Sequence, residues 1–95
     1  MGKKVVIKKM ASAGTVESND ILIMMSPDDT VEIELESVVE KQYGEIIKKT
    51  ISDTLKEEGV EGARVIAKDK GALDFTIRAR VKACIERARG EEDEL

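Results

Sequence analysis

Residues 31–36 read Val-Glu-Ile-Glu-Leu-Glu, and this alternation is the clearest structural signal in the chain. In an extended strand, the three apolar residues fall on one face and the three glutamates on the other. A strand of this kind is typical of an antiparallel sheet that is packed on one face and hydrated on the other. We therefore expect the fold to be built around such a sheet.

Two helices are predicted after this strand. The first begins at Ser37, because Ser37 and Glu40 have the spacing of a capping box, and it ends at Gly59. The second runs from about Ala72 to Ala88. Both carry apolar stripes at helical spacing, formed by Val39, Tyr43, Ile46, Ile47, Ile51 and Leu55 and by Leu73, Ile77, Val81, Cys84, Ile85 and Ala88.

The residues before the alternating strand predict a β-hairpin. Asn19-Asp20 is a pair that favours turns, and residues 21–25 form an apolar run of strand length. We interpret residues 15–25 as the hairpin, with Ser18 at its tip. Residues 11–14 are small and are expected to be flexible.

The predicted order of elements is β-β-β-α-β-α, because residues 63–67 add a short strand between the helices. The three early strands are expected to pair as a meander. The fold class is therefore α+β, with a mainly antiparallel sheet covered on one face by two helices. We expect one folded domain over residues 13–89, preceded by a basic arm or short edge strand (1–12) and followed by an acidic, disordered tail (90–95).

Composition excludes several classes of active site. The chain has 95 residues, a net charge of -4, one cysteine and no histidine. Without histidine, neither a Ser-His-Asp or Cys-His site nor a His-ligated metal site can be assembled. The second helix carries several basic residues, which are Arg78, Arg80, Arg87 and Arg89. Nucleic-acid binding by them is disfavoured, because the net charge is acidic and only two aromatic residues are available to stack on bases.

The sequence also predicts a soluble, cytoplasmic protein. No apolar run approaches the roughly 20 residues that span a bilayer, and no signal peptide is visible. A single cysteine excludes an internal disulfide and fits a reducing compartment.

Several residues have both a structural and a functional interpretation. A serine in a turn, such as Ser18, is usually a local hydrogen-bonding residue, and a functional role requires an exposed hydroxyl. Cys84 lies on an apolar stripe, which favours a buried residue with a raised pKa over an acyl-accepting thiol. Glu32, Glu34 and Glu36 favour a hydrated face, with docking onto a basic partner as the alternative.

Four segments carry a family resemblance. They are Ala13-Gly14-Thr15-Val16-Glu17-Ser18-Asn19-Asp20, Val39-Glu40-Lys41-Gln42-Tyr43-Gly44, Asp69-Lys70-Gly71-Ala72-Leu73-Asp74 and Arg78-Ala79-Arg80. In order and at comparable spacing, they resemble the acyl carrier (gamma) subunit of citrate lyase, whose first segment reads Ala-Gly-Thr-Leu-Glu-Ser-x-Asp. The resemblance spans about Ala13 to Ala88.

The resemblance implies a carrier without catalytic residues and without a metal of its own. Ser18 aligns with the residue that bears a phosphoribosyl-dephospho-coenzyme A arm through a phosphodiester, and its attachment motif comprises Gly14, Thr15, Glu17 and Asp20. The implied partners are the alpha (acyl transferase) subunit, the magnesium-dependent beta (lyase) subunit and a prosthetic-group transferase, with no nucleic acid or membrane. The arm's thiol would carry acetyl and citryl groups while citrate is cleaved to acetate and oxaloacetate.

Two alternatives and one hypothesis accompany this interpretation. The nearest alternative is the acyl carrier of malonate decarboxylase, which uses the same kind of arm, and the other is an unmodified protein-interaction module. We also hypothesise that the carboxylates of Glu17 and Asp20 keep the phosphate-bearing arm from folding back onto the protein.

Overall fold

A computed structural model describes residues 4–90 and contains, within them, four strands and two helices. Their order confirms the predicted β-β-β-α-β-α succession and the α+β class. The elements are β1 (Ala11–Gly14), β2 (Ile21–Ser26), β3 (Val31–Ser37), α1 (Glu40–Glu57), β4 (Ala63–Asp69) and α2 (Asp74–Ala88).

The strands form one sheet in the order β1-β2-β4-β3, so the predicted meander is wrong. The pairings β1–β2 and β2–β4 are antiparallel, which makes the sheet mainly antiparallel, whereas β3 runs parallel to β4. The reason is that β3, α1 and β4 form a crossover unit, since parallel neighbours need a long connection and α1 supplies it. β4 takes a central position, with Ala63, Val65 and Ala67 fully buried.

β3 is an edge strand with the predicted alternation. Its three glutamates are exposed and its apolar residues are half-buried on the helix side of the sheet. Glu34 pairs with Arg64 of the neighbouring strand, so this carboxylate is partly neutralised. The three glutamates therefore lie on an exposed face, as the alternation predicts.

The first strand of the hairpin is residues 11–14, which we expected to be flexible. β1 pairs with β2, and α2 side chains bind its carbonyl groups. Cys84 Sγ donates to the Ala11 carbonyl at 3.4 Å, and Arg87 donates to the Ser12 carbonyl at 2.7 Å. These contacts stabilise a strand whose own residues have weak strand propensity.

Ser37 is not the cap of α1. It is the last residue of β3, and α1 begins at Glu40 with Val39 in the cap position and no side-chain cap. The Ser37 hydroxyl donates to Asp69 Oδ2 at 2.8 Å and accepts from the Val39 amide at 3.1 Å. The Ser37 oxygen thus accepts from Val39, the residue before α1, and the predicted capping box with Glu40 does not form.

The core lies between the sheet and the two helices and consists mainly of Ile, Val, Leu, Met and Ala side chains. Three residues predicted in the apolar stripes lie outside it: Tyr43, Ile46 and Leu73 are 50%, 61% and 61% exposed. Tyr43 and Ile46 lie beside the buried face of α1, which includes Ile47 and Ile51, and Leu73 precedes α2, which begins at Asp74. The predicted stripes are therefore wider than the packed faces.

The segment before β1 also contacts the domain. Val5 forms a parallel bridge with Val60, Ile7 is buried, and the amides of Lys8 and Lys9 donate to the Ala88 carbonyl. Residues 1–3 and 91–95, which include most of the predicted acidic tail, lie outside the described residues. Neither described helix has an apolar stretch that could cross a lipid bilayer.

Candidate functional site

Ser18 lies in the loop that joins β1 to β2, and residues 15–19 of this loop are all exposed. A tight turn forms its tip, with the Asp20 amide donating to the Glu17 carbonyl at 3.1 Å. Asn19 has φ +66°, a left-handed conformation that Asn tolerates better than most residues. Among residues 4–90, no group hydrogen-bonds the Ser18 hydroxyl, which is therefore available to a reagent from solvent.

The first support of this loop is an ion pair between Asp20 and Arg80 of α2. Arg80 Nε and Nη2 donate to the two oxygens of Asp20, each at 2.9 Å. The same carboxylate accepts from the Thr15 hydroxyl and from the Ile21 amide, both at 2.7 Å. Asp20 therefore ties the two ends of the loop to each other and to a helix.

This pair also sets the electrostatics of the loop. The hydrogen bonds from Arg80 hold the pKa of the Asp20 carboxyl well below its usual range, and Asp20 raises the pKa of Arg80 in return. The side chain of Asp20 is only 14% exposed. The Asp20 charge is thus compensated within the protein, and repulsion of an attached phosphate would fall to the exposed Glu17.

The second support comes from the end of β4. The Asn19 amide donates to the Lys70 carbonyl and the Lys70 amide donates to the Asp20 carbonyl, both at 2.8 Å. These bonds extend the β2–β4 ladder, in which Ile21 lies opposite Asp69, into the loop. The backbone beside Ser18 is consequently held by the central strand of the sheet.

Asp69 organises the segment that follows β4. Its side chain is 1% exposed and accepts from the Ser37 hydroxyl at 2.8 Å, the Gly71 amide at 3.1 Å and the Ala72 amide at 2.9 Å. Within the described chain, no lysine or arginine pairs with it. Because Ala72 belongs to this turn, α2 begins at Asp74, two residues later than predicted.

Gly14 permits β1 to end where it does. Its φ is +93°, and a methyl group placed on it would lie 1.9 Å from the Ile21 carbonyl oxygen and 3.2 Å from Arg80 Cδ. Any other residue would force the hairpin strands apart or displace Arg80. Gly14 is therefore required by the close approach of the strands.

The structure brings together most of the predicted motif. Gly14, Thr15 and Asp20 lie at the base of the loop, and Glu17 takes part through its backbone, with its amide donating to the Thr15 hydroxyl at 3.2 Å. The role of Arg80 in holding the loop was not predicted, although Arg78-Ala79-Arg80 is one of the segments that carry the family resemblance. The sequence does not show that Arg80 contacts Asp20, because the two residues are sixty positions apart.

The other sequence candidates are engaged within the fold. Burial raises the pKa of the Cys84 thiol to about 11, which confirms its interpretation as a buried residue. Arg78 pairs with Asp74 at 3.0 Å, and Arg89 pairs with Glu86 at 3.8 Å. Over residues 4–90, no group of three or more cysteine or acidic side chains is placed to hold a metal ion.

Comparison with known proteins supplies the family. The chain is 52% identical to the citrate lyase acyl carrier protein of Lactobacillus helveticus, with 92% of this chain and 91% of that protein covered. It is 46% identical to the corresponding protein of Halothermothrix orenii, over 94% and 96% of the two chains. The chain belongs to the citrate lyase acyl carrier protein family.

Two further comparisons relate this acyl carrier to malonate decarboxylase. A family model described as malonate decarboxylase delta subunit matches residues 8–88. A chain in the crystal structure of a Pseudomonas malonate decarboxylase hetero-tetramer in complex with malonate has a TM-score of 0.70 and 14% identity, over 93% of this chain and 92% of that chain. At that identity, the second likeness shows a shared fold.

Proposed function

We propose that this chain is the acyl carrier subunit of citrate lyase and that its arm is attached to Ser18. The observation that carries the proposal is an exposed hydroxyl on a loop whose backbone is held by α2 and β4. An attachment enzyme can grip such a loop, and the attached group starts from a fixed point. The 46–52% identity to citrate lyase carriers supports the assignment to this complex.

The surroundings of Ser18 fit a bulky group. The neighbouring loop residues are exposed, so a phosphoribosyl-dephospho-coenzyme A arm joined by a phosphodiester would extend into solvent. When bound, the arm supplies the thiol that carries acetyl and citryl groups. The chain's own contribution is to present the hydroxyl and to hold the loop, through Asp20 and Arg80 on one side and Lys70 on the other.

The partners in this proposal supply the chemistry. The alpha subunit exchanges acetyl for citryl on the arm, the beta subunit cleaves the citryl thioester, and a transferase attaches the arm, all in the cytoplasm. Tethering converts each delivery into an intramolecular encounter at an effective concentration of about millimolar. A carrier of this kind needs no general base of its own.

A second candidate is the acyl carrier of malonate decarboxylase. The family description favours it, and the shared fold at a TM-score of 0.70 is compatible with it. The relatives at 46–52% identity favour citrate lyase. Assembly with the alpha and beta subunits of citrate lyase, followed by an assay for citrate cleavage, distinguishes the two.

Intact mass after co-expression with the attachment enzymes tests the site. We expect the wild type to gain the mass of the arm, Ser18→Ala to gain nothing, and Ser12→Ala to behave as the wild type. Ser12 is a matched control because it is also exposed and lies on the adjoining strand. Either of two results would contradict the proposal: an unchanged wild type would favour an unmodified interaction module, and an equal gain in Ser18→Ala would place the attachment on another residue.

A further inference from the structure

An apolar groove opens beside the attachment loop. It has a volume of about 340 Å³ and lies between α1 and the segment that leads into α2, with walls that include Val39, Tyr43, Ile46, Ala72, Leu73 and Ile77. Gly71 also lines it, and a methyl group on Gly71 would lie 3.6 Å from Asn19 Oδ1. The groove and the turn that holds Ser18 therefore occupy the same end of the molecule.

Large apolar side chains are exposed around this groove. Tyr43, Ile46 and Leu73 on its walls are 50–61% exposed, and Phe75, two residues beyond Leu73, is 70% exposed. Tyr43 and Phe75 are the two aromatic residues of the whole sequence. Aromatic residues normally contribute to a core, and exposed clusters that include them are typical of protein–protein interfaces.

The walls of the groove carry little charge. Their one charged residue, Asp74, is paired with Arg78 at 3.0 Å. Thr50, the hydroxyl residue on the wall, donates to Asp74 at 3.1 Å. The groove thus offers apolar contact and few free polar groups, which suits an apolar protein side chain and not the phosphates and ribose of a nucleotide arm.

We infer that this groove is the docking site for the alpha subunit, which inserts an aliphatic or aromatic side chain between Ile46 and Leu73. The inference rests on the proposed function, because a protein that takes up the arm from Ser18 must approach this end of the molecule. Because the walls are apolar and Asp74 is already paired, burial of apolar surface drives the contact, and its affinity depends only weakly on salt.

The affinity of the full-length carrier for the purified alpha subunit tests this inference. Calorimetry is performed with Ser18→Ala as the background, so that no arm contributes to binding. We expect Ile46→Gln and Leu73→Ser each to weaken association at least about tenfold, as for central contacts in interfaces. Both positions are exposed, and circular dichroism verifies that the variants remain folded. Met10→Gln is the matched control, because Met10 is 78% exposed but precedes the other end of β1.

The outcomes separate this inference from the proposed function. If both groove variants bind as tightly as Ser18→Ala alone, while the wild-type carrier gains the arm in the mass experiment, the docking site is overturned and the carrier function stands. An unmodified Ser18 would contradict the function, whatever the groove variants do. Amide shifts at Tyr43, Ile46 and Leu73 between unmodified and arm-bearing carrier, without a partner, would assign the groove to the arm and overturn the inference.

Discussion

Arg80 reaches from α2 to the loop between β1 and β2, where it binds both oxygens of Asp20. Ser18, two residues before Asp20, is exposed and makes no side-chain hydrogen bond within the described chain. The residue proposed to react is thus separate from the residues that hold it. This separation leaves the hydroxyl accessible while hydrogen bonds from α2 and from the end of β4 hold the neighbouring backbone.

Arg80→Met tests this support. The substitution leaves a half-buried carboxylate without its partner, and we expect a loss of about 1–2 kcal/mol in the free energy of unfolding at neutral pH. Attachment at Ser18 should also slow, because the loop loses its link to α2. Arg89→Met is the control: Arg89 makes a longer pair with Glu86, at 3.8 Å, and we expect a change below about 0.5 kcal/mol. Urea unfolding of both variants measures the difference, and equal losses would contradict the proposed support.

The same pair predicts a pH dependence. The pKa of Asp20 is lower in the folded protein than in the unfolded chain, where it is about 3.9. Its contribution to stability is therefore fully present above about pH 5 and is lost as the pH falls below about 4, toward the folded pKa. We expect the wild type to lose more unfolding free energy between pH 6 and pH 3 than Asp20→Asn does. An equal loss of unfolding free energy in the two proteins over this pH range would contradict the proposed contribution of Asp20.

Comparison of two glycines distinguishes the cost of a steric clash from the cost of backbone strain. Gly14 and Gly71 have nearly the same φ, +93° and +92°, but a methyl group on Gly14 would lie 1.9 Å from a carbonyl oxygen, whereas one on Gly71 would have its nearest contact at 3.6 Å. We expect Gly14→Ala to cost more than about 2 kcal/mol and Gly71→Ala about 1 kcal/mol, since only the first adds a clash to the strain. Thermal unfolding of the two variants measures the difference. A Gly71→Ala cost equal to or above that of Gly14→Ala would contradict it.

At the scale of elements, the alternating strand and the two helices were predictable from local patterns, but the neighbours of the strands were not. Val-Glu-Ile-Glu-Leu-Glu defines a half-buried strand without identifying its partner. The strand–helix–strand succession from β3 to β4 does favour parallel pairing, and giving it more weight would have replaced the meander. β1 was missed because Ala-Ser-Ala-Gly becomes a strand through contacts with α2 that are distant in sequence.

Asp69 joins the ends of β3 and β4 to the start of α2, and Asp69→Asn tests that junction. An Asn side chain has one acceptor oxygen, whereas the Asp69 carboxylate accepts three hydrogen bonds in a buried position. At least one donor would lose its acceptor, and we expect a cost of about 1–3 kcal/mol. Asp29→Asn, in an exposed loop, should change the free energy of unfolding by less than about 0.5 kcal/mol. An unchanged free energy of unfolding in Asp69→Asn would show that the junction does not depend on the carboxylate of Asp69.

At the scale of the whole molecule, the candidate site was predictable in part. The turn pair Asn19-Asp20 placed Ser18 at a hairpin tip, and the structure shows this residue exposed there. Arg80 lies sixty residues from Asp20, so their contact exists only once α2 packs on the hairpin. Lys70 reaches the loop through the β2–β4 pairing, which a meander would have excluded.

The buried thiol gives a prediction about the intact fold. With its pKa raised to about 11, on the order of one in a thousand Cys84 side chains would be a thiolate at pH 8, and the side chain is out of contact with solvent. We expect iodoacetamide to leave Cys84 unalkylated in the unmodified, folded protein and to alkylate it fully in denaturant. Mass spectrometry measures the extent of alkylation. Ser12→Cys, at an exposed position, should be labelled in the folded state. Rapid labelling of native Cys84 would contradict this.

The sequestration of Cys84 has a consequence for how the proposed carrier would keep its cargo. The acyl group of a thioester transfers readily to a nearby thiolate, so a carrier with a reactive cysteine on its surface would capture the group that it transports. Here the single cysteine is enclosed and the sequence has no histidine imidazole to assist a transfer. The carrier would therefore present neither a thiolate nor an imidazole to its own acyl group, which favours release of that group in the active site of an enzyme.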